Sequence, residues 1–283
     1  MKPRPFKQVD VFGSAPYRGN PLAVVLDGAD LDPATMQHFA RWMNLSETVF
    51  LSPPTNPAAD YRLRIFTPGG ELPFAGHPTL GACHAWLEAG GRAQTPGRVV
   101  QQCAIGLVNI RTDGTAPAFE APPLQRSAPD PALLTQVAQA LGITTAHIRA
   151  AQLLDSGSVW LGLLLDDAQV LLALAPDHLA LKALGQKVGV AAVPTAAQAC
   201  ADLDLYVRAF TAPAGIEEDP VTGSLNASLA QWLIADALMP PRYVAAQGQC
   251  VGCDGRVQVQ RDEDGRVWIG GVSVTCMDGQ VRL

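Results

Sequence analysis

The sequence predicts an α+β protein of two pseudo-symmetric halves, each a mostly antiparallel sheet wrapped around a central helix. Three observations lead there. Short motifs recur in the same order in the two parts of the chain. Runs rich in β-branched and aromatic residues, bounded by turn residues, outnumber helical stretches. Each part also carries one helical stretch made mainly of small and apolar residues, suited to enclosure by a sheet.

The recurrence is specific. Arg64-Ile-Phe-Thr67 reappears 144 residues later as Arg208-Ala-Phe-Thr211. His77-Pro-Thr-Leu-Gly81 is answered 142 residues later by Asp219-Pro-Val-Thr-Gly223. Both run on into small and apolar residues ending in Trp-Leu, over Ala82–Leu87 and Ser224–Leu233. Upstream, Asp32-Pro33 and Pro176-Asp177 open helical stretches, the first with Met36, Phe39, Ala40 and Met43, the second with Leu179, Leu181 and Leu184. Several matches in order at one spacing indicate a duplicated unit. Two similar halves commonly face each other across a cleft, where ligands bind. The expected lobes are residues 1–120, joined by a C-terminal strand at 279–283, and residues 121–278.

In chain order, strands are expected at Lys7–Phe12, Leu22–Leu26, Glu47–Ser52, Tyr61–Thr67 and Arg98–Arg111. Helices are expected at Pro33–Asn44, with Asp32 as N-cap, and at Pro78–Ala89, stopped by Gly90-Gly91. Residues 113–131, rich in Pro and Ala, form a linker. Pro131–Leu141 then reads as an amphipathic helix capped by Asp130 and ended by Gly142. Further strands are expected near Ala151–Leu154, Ser158–Leu165, Ala168–Leu174, Asp204–Thr211, Val257–Gln260, Val267–Ile269 and Gly271–Cys276, with helices near Asp177–Val188 and Gly223–Ala237. The tail Gln280–Leu283 is expected to pair back onto the first half.

Bulk properties remove several function classes. The net charge is −6 and the basic residues are scattered, so nucleic acid is not an expected partner. The longest apolar run, Leu161–Leu174, is interrupted by Asp166 and Asp167, so no membrane-spanning helix is expected. The start of the chain has no apolar region of the signal-peptide kind, and a cytoplasmic location is expected. The six cysteines, Cys83, Cys103, Cys200, Cys250, Cys253 and Cys276, then read as reduced thiols. Cys250-Val-Gly-Cys253 has the spacing of half a zinc site, but only Cys276 and no histidine follows it. Two thiols in a turn before a strand is the simpler reading, and no metal is expected.

The chemistry-bearing candidates lie at the two proline-marked helix starts and at one strand start. Helix N-termini offer N–H donors and partial positive charge, which suit a carboxylate or an oxyanion. Proline at the first position and a small residue for packing are equally ordinary structural devices. His77 and Asp219 hold matching places, each directly before the proline. Asp219 fits an N-cap as well as an acid/base role, whereas a histidine, as at His77, is less usual there and is a residue type that titrates near neutral pH. Glu47 opens a strongly apolar strand. Burial there would raise its pKa into a useful range; an exposed glutamate at a strand edge is the other reading. Aligning the repeat places its counterpart in Gly189–Pro194, which holds no carboxylate. Asn20, in Gly19-Asn-Pro21, either points an amide into the cleft or only initiates a strand. Arg64 and Arg208 read as salt-bridge partners within their halves. No dinucleotide fingerprint, phosphate loop, His-Glu-x-x-His or Gly-x-Ser-x-Gly motif occurs, so no cofactor is expected.

Asp10-Val-Phe12, Gly19-Asn-Pro-Leu-Ala-Val24, Leu45-Ser-Glu-Thr-Val-Phe50, Arg64-Ile-Phe-Thr-Pro68, Gly76-His-Pro-Thr-Leu-Gly81 and Glu218-Asp-Pro-Val-Thr-Gly-Ser224 together resemble the phenazine-biosynthesis PhzF-like isomerases. The match runs in order over nearly the whole chain. The resemblance implies a diaminopimelate-epimerase-like fold and cofactor-independent proton transfer. It carries the shuttling carboxylate to Glu47, the assisting groups to His77 and Asp219, and carboxylate binding to Gly76, Gly223, Ser224 and their neighbours. It also allows a homodimer. Related racemases use two facing cysteines, but Glu71–Gly81 and Glu217–Ser224 contain none. The expected function is isomerisation of a small carboxylate-bearing metabolite. A non-catalytic binding protein and a lyase sharing the deprotonation remain alternatives. The substrate is not legible, and phenazine chemistry is not carried over.

Overall fold

The computed structural model describes residues 1–195 and 203–283, which leaves Cys200 outside the described residues. The chain divides into two units, Met1–Glu120 with Gly270–Leu283, and Ala121–Ile269. Gly270–Asp278, expected in the second lobe, thus falls in the first unit.

The first unit contains β1 (Pro3–Val11), β2 (Asn20–Val25), α1 (Pro33–Met43), β3 (Glu47–Ser52), β4 (Tyr61–Thr67), β5 (Gly70–Leu72), α2 (Gly76–Glu88), β6 (Arg98–Cys103), β7 (Gly106–Arg111) and β8 (Ala118–Glu120). Parallel neighbours need a crossover, and the two helices supply them: α1 joins the parallel pair β2–β3, and α2 lies between the parallel pair β4–β6. The pairs β1–β2, β3–β4 and β6–β7 are antiparallel. Helix α1 starts where Asp32 accepts from Thr35 N and Pro33 fills the first turn, and it ends at Asn44 in the left-handed region. Its buried face, Met36, Phe39 and Ala40, packs with Val25, Phe50 and Phe66.

The second unit contains β9 (Gln125–Ser127), α3 (Pro131–Ala140), β10 (Ile148–Asp155), β11 (Val159–Leu165), α4 (Ala168–Ala173), α5 (His178–Leu184), β12 (Val188–Ala192), β13 (Leu205–Phe210), α6 (Gly223–Ala235), β14 (Arg242–Gln247), β15 (Gly255–Arg261) and β16 (Val267–Gly270). Its pairing repeats that of the first unit: β10–β11 antiparallel, β11–β12 parallel, β12–β13 antiparallel, β13–β14 parallel, β14–β15 antiparallel. The last strand, β17 (Ser273–Arg282), returns to the first unit and runs antiparallel along the whole of β1. Helices α2 and α6 are the central ones. Nine of thirteen residues in α2 and ten of thirteen in α6 are buried, so both are largely enclosed.

Several elements depart from expectation for local reasons. Ala168–Leu174, read as a strand, is largely helix α4. Asp167 accepts from Gln169 N and caps it, and Ala168 and Leu171 bury one helical face. Helix α5 stops well short of Val188, because Gly185 takes the left-handed conformation and Val188 begins β12. Arg98–Arg111 is a hairpin of two strands, with Gly106 at φ 109° closing the turn. The expected linker contains β8 and β9, the former anchored by fully buried Phe119. Strand β14 has no counterpart among the expected elements.

The two Arg-x-Phe-Thr strands carry the same bidentate clamp. Arg64 donates from Nε and Nη2 to the two carboxylate oxygens of Glu71, each at 2.7 Å. Arg208 donates likewise to Glu218 at 3.0 and 2.7 Å, and its Nη1 donates to Leu171 O and Leu174 O. The environments differ: both side chains of the second pair are 7% exposed, whereas Glu71 is 40% exposed. Removing one partner of a buried pair strands a charge, so Glu218→Ala is expected to cost about 3–5 kcal/mol. Glu71→Ala is expected to cost about 0–1 kcal/mol. Urea unfolding of the two variants measures the difference.

Gly189 on β12 is a packing requirement. A Cβ there would lie 2.2 Å from Leu225 Cδ1, 2.7 Å from Cδ2 and 3.0 Å from Cγ, against fully buried Leu225 of α6. Alanine recovers about 0.5–1 kcal/mol of backbone entropy in a strand. Overpacking a core costs about 1–3 kcal/mol, so the clash prevails. Gly189→Ala is expected to lower the thermal midpoint, as a melting curve would show.

Candidate active site

Glu47 is the first residue of β3 and pairs with Leu22 of β2. Its side chain is 15% exposed, so the exposed-edge reading does not hold. His77 lies in the first turn of α2 and is 4% exposed. Its Nδ1 stands 3.5 Å from Glu47 Oε2, close enough for strong electrostatic coupling and longer than a well-formed hydrogen bond. The crossover between β4 and β6 sets this distance, because it places the start of α2 beside the start of β3. Asn20, the first residue of β2, is buried and accepts at Oδ1 from Ser46 Oγ at 3.4 Å. The first unit thus gathers Asn20, Ser46, Glu47, Gly76 and His77 at the N-terminal ends of two strands and one helix. Ser46 was not singled out from the sequence, although its place before Glu47 would have justified it.

Helix α2 begins at Gly76, with Ala75 as N-cap and no side-chain cap. Pro78 is therefore the third helical residue, not the first. It still replaces an N–H that has no partner inside the helix. In the second unit α6 begins at Gly223 with Thr222 as N-cap, again without a side-chain cap. Asp219 and Pro220 precede the helix. Asp219 is consequently not the N-cap: its Oδ2 accepts from Thr222 Oγ1 at 2.5 Å, and its N–H donates to Ala209 O at 2.9 Å. Counted from the helix starts, His77 corresponds to Ser224, and the match of His77 to Asp219 in the sequence repeat does not persist in the backbone.

The register also corrects the counterpart of Glu47. Thr48 faces Phe66 as Val188 faces Phe210, so the residue equivalent to Glu47 is Lys187, not one in Gly189–Pro194. Lys187 Nζ donates to Ser158 Oγ and lies 4.8 Å from the centre of the Trp160 ring.

Cys83 is fully buried in α2, and burial pushes its thiol up to about 12, which keeps it protonated at neutral pH. Cys250 and Cys253 lie at the turn before β15, and burial raises the Cys250 thiol. Among the described residues, no group of three or more His, Cys, Asp or Glu side chains could hold a metal ion. No helix of the described residues is long and apolar enough to cross a membrane.

Fold and pairing place the protein in the diaminopimelate-epimerase-like class. A hydroxyproline epimerase of Agrobacterium vitis superposes with a TM-score of 0.62 at 16% identity, covering 99% of this chain and 93% of that one. A Bacillus anthracis phenazine biosynthesis protein of the PhzF family superposes with a TM-score of 0.85 at 22% identity over the whole of both chains. Residues 9–279 match the PhzC-PhzF family model, phenazine biosynthesis-like protein, and the chain belongs to that family. Two relatives illustrate its breadth. The antisense-enhancing sequence 1 protein of Schizosaccharomyces pombe is 33% identical over 99% of each chain. A trans-2,3-dihydro-3-hydroxyanthranilate isomerase of Pseudomonas fluorescens is 35% identical over 78% of this chain and 77% of that one.

Proposed function

We propose that this isomerase moves a proton on a small carboxylate-bearing metabolite without a cofactor, with Glu47 as the acid/base. The observation that carries the reading is the buried Glu47–His77 pair, at 3.5 Å, beside a helix start that no side chain caps. Few structural needs are met by a carboxylate placed there, whereas a base needs this setting: shielded from water, and next to a group able to accept or supply a proton. The name of the Pseudomonas relative supports the reaction class and a carboxylate substrate.

In the proposed cycle N–H donors at Gly76, assisted by Asn20, hold the substrate carboxylate, and those at Gly223-Ser224 are the second unit's candidates for the same role. Glu47 takes a proton from an activated carbon, and the electron pair left behind delocalises into the adjacent unsaturated system. Glu47, its acid proton exchanging with solvent, returns a proton at a second carbon or on the other face, so the formula is unchanged. His77 and Asp219 orient the substrate or relay a second proton. The reading requires Asp219 of the second unit to act on the molecule that Glu47 deprotonates. A cytoplasmic homodimer belongs to the same proposal.

The test is solvent-deuterium incorporation, followed by mass spectrometry, over a panel of small carboxylates headed by trans-2,3-dihydro-3-hydroxyanthranilate. A true substrate is expected to gain deuterium at constant formula. Loss of water or another fragment would mark a lyase, and binding without exchange a non-catalytic protein. Glu47→Gln is expected to lower the exchange rate by about 10²–10⁴-fold. Unchanged exchange in that variant would remove Glu47 from the mechanism.

A further inference from the structure

The hydrogen bonds behind Asp219 have only one consistent direction. Gln247, at the end of β14, is fully buried. Its Oε1 lies 3.0 Å from Thr222 N and 2.9 Å from Asn226 Nδ2. Its Nε2 lies 2.9 Å from Asp219 O and 2.9 Å from Thr222 Oγ1. An amide's orientation is often ambiguous, but a backbone N–H can only donate and a carbonyl can only accept. Thr222 N and Asp219 O therefore fix which end of Gln247 is oxygen. It follows that Gln247 Nε2 donates to Thr222 Oγ1. The threonine's own proton is thereby directed onward, to Asp219 Oδ2 at 2.5 Å. Asn226 is oriented by the same logic, since its Nδ2 also donates to Thr222 O at 2.9 Å.

The first unit contains a related chain with a different terminus. Gln101 of β6, also fully buried, accepts from Tyr61 Oη at 3.1 Å and donates to Thr79 Oγ1 at 3.0 Å. Thr79 then donates to Ala75 O at 2.9 Å. Thr79 and Asn226 are each the fourth residue of their central helix, and β6 and β14 hold the same place in the strand order. In the first unit the chain ends on a backbone carbonyl and serves the helix start alone. In the second it ends on a side-chain carboxylate. That difference separates a structural brace from one tied to an acid.

We propose that Gln247 and Thr222 are positioning residues for the reaction, holding Asp219 in one orientation as a hydrogen-bond-accepting carboxylate with Oδ2 committed to Thr222. The inference rests on the reading of Asp219 as a participant in catalysis. It specifies that reading further: the committed oxygen is not the one that meets the substrate. Buried, directional chains of this kind strengthen each member and are sensitive to the loss of any one.

The experiment is a carbon-13 NMR titration of the intact protein labelled at aspartate Cγ, with Asp219 assigned from the resonance lost in Asp219→Asn. A hydrogen bond donated to a carboxylate favours its charged form. Thr222→Val keeps the shape and removes the donor, and is expected to move the Asp219 midpoint upward by about one pH unit. Thr222→Ser is expected to restore it. Gln247→Met is expected to move it in the same direction, and should it fail to fold, the Thr222 pair of variants decides alone. An Asp219 midpoint that Thr222→Val leaves unchanged, or that Thr222→Ser fails to restore, overturns the inference. The catalytic reading is tested separately: deuterium exchange undiminished in Asp219→Asn would refute it while leaving the titration result intact.

Discussion

A largely buried helix must have the unpaired N–H groups at its start satisfied within the protein or by a ligand, and this constraint organises both units. Helices α2 and α6 are buried over most of their length, and the polar side chains of their first turns share that requirement. Neither start has a side-chain cap. The polar groups recruited to those ends are the ones with chemical capacity: Glu47 and His77 at one, Asp219, Thr222 and Gln247 at the other. A surface helix would have let water do this work and would have concentrated nothing there.

Duplication accounts for the scaffold but not for the chemistry. The order of parallel and antiparallel pairs is the same in both units. The bidentate arginine clamp and the buried glutamine behind each helix start are shared as well. The residues that differ are those at the helix starts and at the first position of the strand between them. His77 is matched by Ser224 and Glu47 by Lys187. Packing positions in a duplicated fold are held by volume and hydrophobicity, which both units need alike. A polar position at a helix end is held only by what it must contact, so it diverges first.

Much of this was legible in the sequence, and the parts that were not share a cause. Glu47 stood out because it opens an apolar strand, and His77 and Asp219 because each directly precedes the proline of the repeated motif. Helix α1 was legible because Asp32, Pro33 and the spacing of Met36, Phe39 and Ala40 agree. Strand β14 was not, because Arg-Tyr-Val-Ala-Ala-Gln has little β-branched content and is held by its neighbours β13 and β15. Gln247 was missed with it, since a buried glutamine is recognisable only once its four partners are in place. The match of Asp219 to His77 misled for a related reason: proline marks a helix start within a few residues, while the cap is set by backbone conformation. The two prolines fall on opposite sides of the two caps.

Glu47 and its equivalent Lys187 have different kinds of partner. After the crossover, one copy has a carboxylate as the first residue of β3 and the other an ammonium on the residue just before β12, and both have a local partner. Lys187 lies against Trp160 and donates to Ser158, both on or beside the neighbouring strand β11, so its ammonium is held by groups along the sheet. Glu47 instead meets His77, which belongs to the helix, so its partner lies at the polar helix start and not along the strand. A charge tied to the sheet is structural, because its partner does not change with protonation state. A carboxylate tied to an imidazole has a partner whose own charge varies near neutral pH. Of the two equivalent positions, only the one occupied by Glu47 has its partner at a helix start.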